Sequence, residues 1–466
     1  MRFLTASLLA LNLGLSLAFA QACAAELAPA PASPGSASSV GWVWVGGLTD
    51  AQAVVTARLE TAAPARLELL AEPPSLFAPV LTAPMDGGTL HRFHLGGLTP
   101  DTTYRYRLIG ASGAPLDTEA RSFRTFPQSR QPANFTFAVG SCARLKNSPV
   151  FAAAAAQAAR FFLHTGDFHY ADISDNRVEA FRAAYDRHLA APRLRTLLAN
   201  TPLIYQWDDH DFGPNDSNRT SPSRGASLRN YRELVPHYLL TVAADNPRAP
   251  VDQSFTVGRV RFILSDLRSE RDPAGRRLMS AAQDAWLRTE LLAARDSGCP
   301  LIFWVSSVPW NGVPSKDDRW QGYPEHRGEI ADFIKANGLA GRVAILAGDA
   351  HMTAIDDGTN SDFATGGGAP IRVFQAGPIA NRGSYKGGPY SHGARCQSLP
   401  GETLNQFGLV AIHDDGSQIQ VTWSGRQGAD AQGDQVLVAE RDGHGPIQFE
   451  FTVPGGLGRP KVSPIR

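Results

Sequence analysis

LHTGDFHYAD (163–172), WDDHDFGPND (207–216) and LAGDAH (346–351) are the stretches on which the reading of this chain turns. Two of them follow runs that read as buried strands, Phe161–His164 and Val343–Ala347; Pro202–Gln206, ahead of the middle one, is a shorter and weaker case. Each run breaks into Asp, His, Tyr or Asn where the strand would end. Hard oxygen and imidazole ligands gathered there repel one another and are costly to hold unless cations neutralise them. The three stretches read as one polymetallic site.

In the first, Gly166 lets the chain turn at the strand end, and Asp167 leaves it carrying a carboxylate. Tyr170 follows three residues later, close enough for both oxygens to reach one cation. Asp167 as a helix cap, with Tyr170 in the core, is an equally open reading of this motif alone. In the second, Asp208, Asp209 and Asp211 fall within four positions, beside His210 and ahead of Asn215. Without a counter-cation such a cluster needs raised pKa values or full exposure; a polar surface turn helped by Gly213-Pro214 is the competing reading. In the third, Asp349 and His351 stand at i and i+2, on one face if the segment is extended, a usable ligand pair. Cys142 ends FTFAVGSC in the same strand-to-loop position. A free Cys is ordinarily a small buried hydrophobe, but beside cations its thiolate would add a ligand from a fourth strand end.

The 466 residues exceed what one core holds, which predicts at least two domains. Lys+Arg and Asp+Glu balance at 44 each, and no basic patch or charge run argues for nucleic acid. Met1–Ala20 carries one Arg, an apolar stretch and small residues at its end, the pattern of a signal for export to the periplasm, cell envelope or medium. An uncleaved anchor is the weaker alternative, and Ala20-Gln21-Ala22-Cys23 is a poor lipoprotein box. No later segment reaches transmembrane length without charge, so a soluble mature chain is expected. Four cysteines, at 23, 142, 299 and 396, make no disulfide framework, although Cys299 and Cys396 could pair in an oxidising compartment.

A Pro/Ala/Ser linker over 21–38, densest at LAPAPASPGSAS (27–38), precedes short alternating strands over 39–126. These predict a small β-sandwich, and LTPDTTYRYRL (98–108) resembles a fibronectin type III-like strand start where a Tyr anchors a corner. A linker over 127–134 leads into alternating strands and helices over 135–454, which predict an α/β domain with a largely buried sheet. Helices are expected over Pro149–Arg160, Val178–Leu189, Ala226–Leu234, Ser280–Asp296 and Glu325–Asn337, with Ser280 and Gln283 as a capping box. Two closing hairpins follow Asn405, and 455–466 reads as a frayed tail.

Taken in order, the small β-domain, Ser-Cys, Gly-Asp-x-x-Tyr, Trp-Asp-Asp-His-Asp with a trailing Asn, and Gly-Asp-x-His resemble the alkaline phosphatase D family. The resemblance implies a two-sheet αββα metallophosphatase sandwich behind the fibronectin/Ig-like domain, hydrolysing phosphomonoesters and phosphodiesters with a ferric ion (Fe3+) and calcium ions (Ca2+). Position by position, it makes Cys142 and Tyr170 iron ligands, Asp167 a bridge between iron and calcium, and Asp349 the completion of the iron site. Asp209, Asn215 and His351 fall on the calcium side, with Asp208 close by. Asp167, Asp349 and His351 would carry the catalysis, and Arg268 and His210 would meet the substrate. For Arg268, an ion pair with Asp266 or Glu270 is an equal alternative. His169 departs from the family's usual apolar residue, and the Gly-rich stretch Arg382–Cys396 is expected to rim the pocket. Two other functions stay open: a phosphodiesterase or phospholipase D-like hydrolase at the same metals, and an exported binding protein whose metals are structural.

Overall fold

The computed structural model describes residues 40–71, 80–82, 88–242, 246–315, 318–429, 433–441 and 445–455. The expected export signal, the 21–38 linker with Cys23 and the tail beyond Gly455 lie outside them. Among the described residues no helix is long and apolar enough to cross a membrane.

Period-two burial defines the layers. Along Phe135–Gly140, Phe137 and Val139 enter one core while Ala138 enters another. Along Val260–Ser265, Phe262 and Leu264 face that first core and Ile263 a third; Leu301–Ser306 divides the same way, Phe303 and Val305 against Ile302 and Trp304. The shared core lies between two seven-stranded sheets. One runs Leu203–Gln206, Phe162–Thr165, Phe135–Gly140, Gln406–Asp414, Gln418–Ala429, the last pairing with both Gly433–Val436 and Gln448–Pro454; the other runs Gln253–Val257, Val260–Ser265, Leu301–Ser306, Val343–Ala347, Arg372–Gln375, Thr353–Asp356, His392–Arg395. Phe137 joins the sheets edge-on, 5.3 Å from Phe262 and 5.6 Å from Phe303 between ring centres, contacts worth about 0.5–1.5 kcal/mol each beyond area burial. Helices Pro149–Ala156, Val178–Leu189, Pro192–Asn200 and Arg224–Leu234 cover the outer face of the first sheet, and Ala281–Asp296 and Pro324–Ala336 that of the second. This is the expected helix–sheet–sheet–helix order.

Ser280 caps Ala281–Asp296 through the expected box with Gln283. The sequence reading lacked two helices, Pro192–Asn200 and the four-residue Asp209–Phe212 inside the second motif. The last hairpin closes through Ile447 N to Leu437 O at 2.7 Å and Ala439 N to Gly445 O at 2.9 Å, and the strands on either side of it, Gly433–Val436 and Gln448–Pro454, both pair along Gln418–Ala429. Cys299 and Cys396 are both buried and free; they pack in separate apolar clusters, in the loops that follow Ala281–Asp296 and His392–Arg395, and do not bridge.

The described residues between 40 and 126 form two small antiparallel sheets of three and four strands, and Thr99 N donates to the Tyr104 hydroxyl at 2.8 Å. They share the inter-sheet core, with Phe126 5.5 Å from Phe161, and Trp44 Nε1 donates to Leu203 O at 2.7 Å. The described residues thus belong to one compact unit across the 127–134 segment.

The topology places the site. Phe135–Gly140, Phe162–Thr165 and Leu203–Gln206 are mutually parallel, as are Val260–Ser265, Leu301–Ser306 and Val343–Ala347. Parallel strands leave a sheet at one edge. Cys142, Asp167 and Asp208 leave the first sheet there, and Arg268, Ser307 and Asp349 the second. Gly348 sits where the two edges meet: a Cβ on it would lie 2.7 Å from Thr165 O and 2.9 Å from Ser307 O.

Candidate metal centre

Three overlapping donor sets line this edge. Cys142, Asp167 and His351 each offer an atom within 4.8 Å of the others; so do Asp167, Asp209 and His210, and then Asp209, Asp216 and Asp318. Asp167 links the first set to the second and Asp209 the second to the third. Tyr170 belongs with the first, its hydroxyl donating to Asp167 Oδ2 at 2.8 Å and lying 3.2 Å from His351 Nε2. The loops are tied together by backbone bonds from Cys142 N to Gly166 O and from Ala143 N to Asp167 O.

Electrostatics give the donors a common problem. Burial, then the Asp209, Asp208, Asp211 and Asp349 carboxylates, push Asp167 well above the carboxylate range. Burial with Asp167 and Asp349 raises the Cys142 thiol, and burial with Asp167 and Cys142 raises the Tyr170 phenol. Asp167 Oδ1 is buried with no hydrogen-bond partner. A multivalent cation reverses this logic, turning each neutral donor into an anionic ligand. The donors therefore fit metal ions: thiol, phenol, imidazole and carboxylate in the first set, oxygen alone in the third. His351 is held down to about 4 by burial and Lys386, so its imidazole is neutral and keeps a lone pair.

Backbone strain marks the same residues. Cys142, Asp167, Asp349 and His351 all have left-handed φ, at 62°, 59°, 58° and 52°. Each costs about 1–2 kcal/mol without glycine's freedom, and such strain collects where surroundings over-determine a site.

The sequence profile of the PhoD-like phosphatases matches residues 137–423, more than half the chain and every strand end above. The chain belongs to the PhoD-like phosphatase family. Alkaline phosphatase D of Bacillus subtilis (strain 168) is 23% identical over 318 residues, 56% of this chain and 54% of that protein, so the chain spans about half the length of the curated relative it matches. A solved structure of PhoD superposes with a TM-score of 0.65 at 18% identity, covering 89% of this chain and 95% of the other. The purple acid phosphatase PPD1 from yellow lupin (Lupinus luteus) seeds gives 0.56 at 13% identity, over 89% and 73%. Both likenesses are of fold.

In this PhoD-like phosphatase the site residues read from the sequence gather at one edge, with differences in detail. Asp349 and His351 are not extended; their left-handed turns separate them, and Asp349 instead meets Lys386 Nζ at 2.6 Å and Arg319 Nη1 at 3.3 Å. Asp208 accepts from Arg268 through both oxygens and from Ser307 Oγ at 2.7 Å. Arg268 is fully buried, and its remaining arm reaches Asp318 at 2.7 Å, so its carboxylate partners are distant in sequence instead of Asp266 or Glu270. Burial raises Asp209, but Arg268 and His210 outweigh it and hold the carboxyl below its ordinary range. Asn215 and Asp216 are both exposed, and Asp216 offers an oxygen to the third donor set. His210 bonds Asp172 and lies 4.2 Å from the Tyr170 ring. His169 is buried, its ring 4.9 Å from Tyr185. Lys386 lies in the Gly-rich stretch expected to rim the pocket, and Asp216 closes the second motif; Arg319 and Asp318 carried no motif signal.

Asp211 was also missed as a positioning residue. Its oxygens accept from His169 N at 3.0 Å and Asp208 N at 3.1 Å, locking the first motif to the second. Asp211→Ala strands two buried N–H donors, for a stability loss of about 2–5 kcal/mol. Urea unfolding should record that loss together with weaker metal binding; loss of stability with unchanged metal affinity would deny Asp211 its role in the site.

Proposed function

We propose that this PhoD-like phosphatase is an exported, metal-dependent phosphoesterase that hydrolyses phosphomonoesters, and phosphodiesters at the same centre, by in-line attack with ferric iron and calcium bound. The observation that carries the reading is the chain of donor sets linked through Asp167 and Asp209. The thiol–phenol set suits a trivalent iron and the all-carboxylate set suits calcium. Export rests on the Met1–Ala20 pattern. We read 39–126 as an Ig-like sandwich domain and 135–454 as the catalytic domain, the Tyr104 corner bond supporting the first.

Metal ions bound here would polarise phosphoryl oxygens and lower the pKa of water. The chain's own residues do the rest. Arg319 and Lys386, with side chains 16% and 28% exposed, bring positive charge to the rim, where an incoming phosphate dianion is bound and oriented. Arg268, with none of its side chain exposed, holds Asp208 and Asp318 in place and does not itself meet substrate. His351 contributes its lone pair and no proton. His210 and Tyr170 form the wall beside Asp172 at the mouth.

Native protein, analysed for metals, should contain iron and calcium and absorb visible light through phenolate and thiolate bound to ferric iron. Tyr170→Phe should remove most of that absorption and lower p-nitrophenyl phosphate turnover about 100-fold. A colourless, iron-free, fully active preparation would exclude iron. Bis-p-nitrophenyl phosphate run in parallel separates monoesterase from diesterase. No turnover of either with metals bound would leave a metal-stabilised binding protein.

A further inference from the structure

Among the cations around the centre, Arg144 and Arg382 stand apart. Arg268, Arg319 and Lys386 each hold a carboxylate of the site. Arg144 and Arg382 hold none among the described residues, yet both line one cavity of about 310 Å³ with Leu145, Asn381 and Thr403. Among the described residues no acid lines the cavity, and Glu402, between the lining residues Gly401 and Thr403, accepts from Leu399 N at 2.7 Å within its own turn.

The cavity adjoins the metal centre on its Cys142–His351 side. Arg144 follows Cys142 by two residues, at most about 7 Å along the chain. Arg382 follows Asn381, whose Nδ2 lies 3.4 Å from His351 Nε2. The two walls are bonded to each other, Ala380 N to Cys142 O at 3.2 Å and Leu145 N to Ala380 O at 3.2 Å. The arginines therefore project from a braced frame.

Two unpaired guanidiniums beside a phosphoryl site are a complement for a second anion, since each presents a planar fork of donors to carboxylate or phosphoryl oxygens. We infer that this cavity is a subsite for an anionic group on the alcohol half of the ester, so that the preferred substrates are doubly anionic phosphate esters. The inference rests on the phosphoesterase reading above and adds the substrate class.

The test compares ω-carboxyalkyl phosphates with alkyl phosphates of equal chain length, and alkane bisphosphates as a third arm to separate carboxylate from phosphoryl recognition. The metal-loaded enzyme should favour a doubly anionic ester about tenfold in kcat/KM, through KM, with the advantage shrinking as salt rises. Arg144→Gln with Arg382→Gln should erase it while leaving the alkyl phosphate within about twofold. Equal kcat/KM for the paired esters in the wild-type enzyme, or equal losses for both in the variant, overturns the subsite. Calorimetric titration with 3-phosphonopropionate and propylphosphonate decides it without turnover. Tighter binding of the first, lost in the variant, supports the subsite even if no ester is hydrolysed, whereas equal affinities reject it even in an active phosphatase.

Discussion

Asp167→Asn should lower p-nitrophenyl phosphate turnover about 1,000-fold and, at the same time, raise the melting temperature of the metal-free protein. The two effects share one cause. Asp167 is the donor common to the first two sets, so neutralising it removes an anionic ligand from both. Without cations the same carboxylate is a liability: it is buried among Asp208, Asp209, Asp211 and Asp349, and one of its oxygens has no partner. Asn has nearly the same shape and can still accept from Tyr170. The pH dependence has a definite sign. Because the folded-state carboxyl holds its proton above the ordinary 3.8, the metal-free folded chain binds that proton more tightly than the unfolded chain. The stability this group contributes is present below 3.8 and lost as pH rises through the folded value. Metal-free wild type should therefore lose stability toward neutral pH more steeply than the variant. Thermal melts with and without chelator, over pH 4 to about pH 8, check both halves. A variant that keeps its turnover, or that melts lower than wild type when stripped of metal, would remove Asp167 from the centre.

Why so much of this centre could be read from the sequence is a matter of strand chemistry. Phe137, Val139, Phe262 and Phe303 stand in short runs that are apolar on both faces, since Ala138, Ile263, Ile302 and Trp304 fill the cores on the other side, and such runs announce buried strands. Asp167, Asp208, Asp209 and Asp349 then appear where each run ends, and topology collects ends of parallel strands. Cys142, Asp167, Asp209 and Asp349 do gather at one edge, as that argument requires. The single cations were harder. Lys386 and Arg319 come from irregular loops and reach Asp349 across 37 and 30 residues; a lone basic residue in a loop has no period and no motif. Arg268 was visible, but its partner Asp208 is 60 residues away, so sequence neighbours were the wrong place to look. The four-residue helix Asp209–Phe212 is too short for a helical period, so the turn that brings Asp216 back to Asp209 was not legible. The left-handed turns at Asp349 and His351 suit residue types that adopt positive φ more readily than most, but that tendency is too weak to be read from a sequence.

Gly348→Ala should damage the enzyme almost as severely, although the residue carries no chemistry. The added Cβ would meet Thr165 O at 2.7 Å, Ser307 O at 2.9 Å and the Ser141 Cβ at 3.0 Å. Two of these are backbone atoms at strand ends, so none can swing aside as the tip of a long side chain would. The steric demand falls on the seam between the sheets, where Thr165 and Ser141 precede Asp167 and Cys142, and Ser307 donates to Asp208. Overpacking of this kind costs about 1–3 kcal/mol. A shift of about 1 Å between ligands from opposite sheets is enough to lower kcat/KM roughly 100-fold. Gly341→Ala is the matched control, because a Cβ there meets nothing within 4 Å. Urea melts, calorimetric metal titration and kcat/KM on the three proteins should separate a local misfit from a general weakening. Gly348→Ala should lose metal affinity out of proportion to its stability, and Gly341→Ala should lose neither. If the two variants behave alike, the seam between the sheets does not set the spacing of the ligands, and the centre is held by its loops alone.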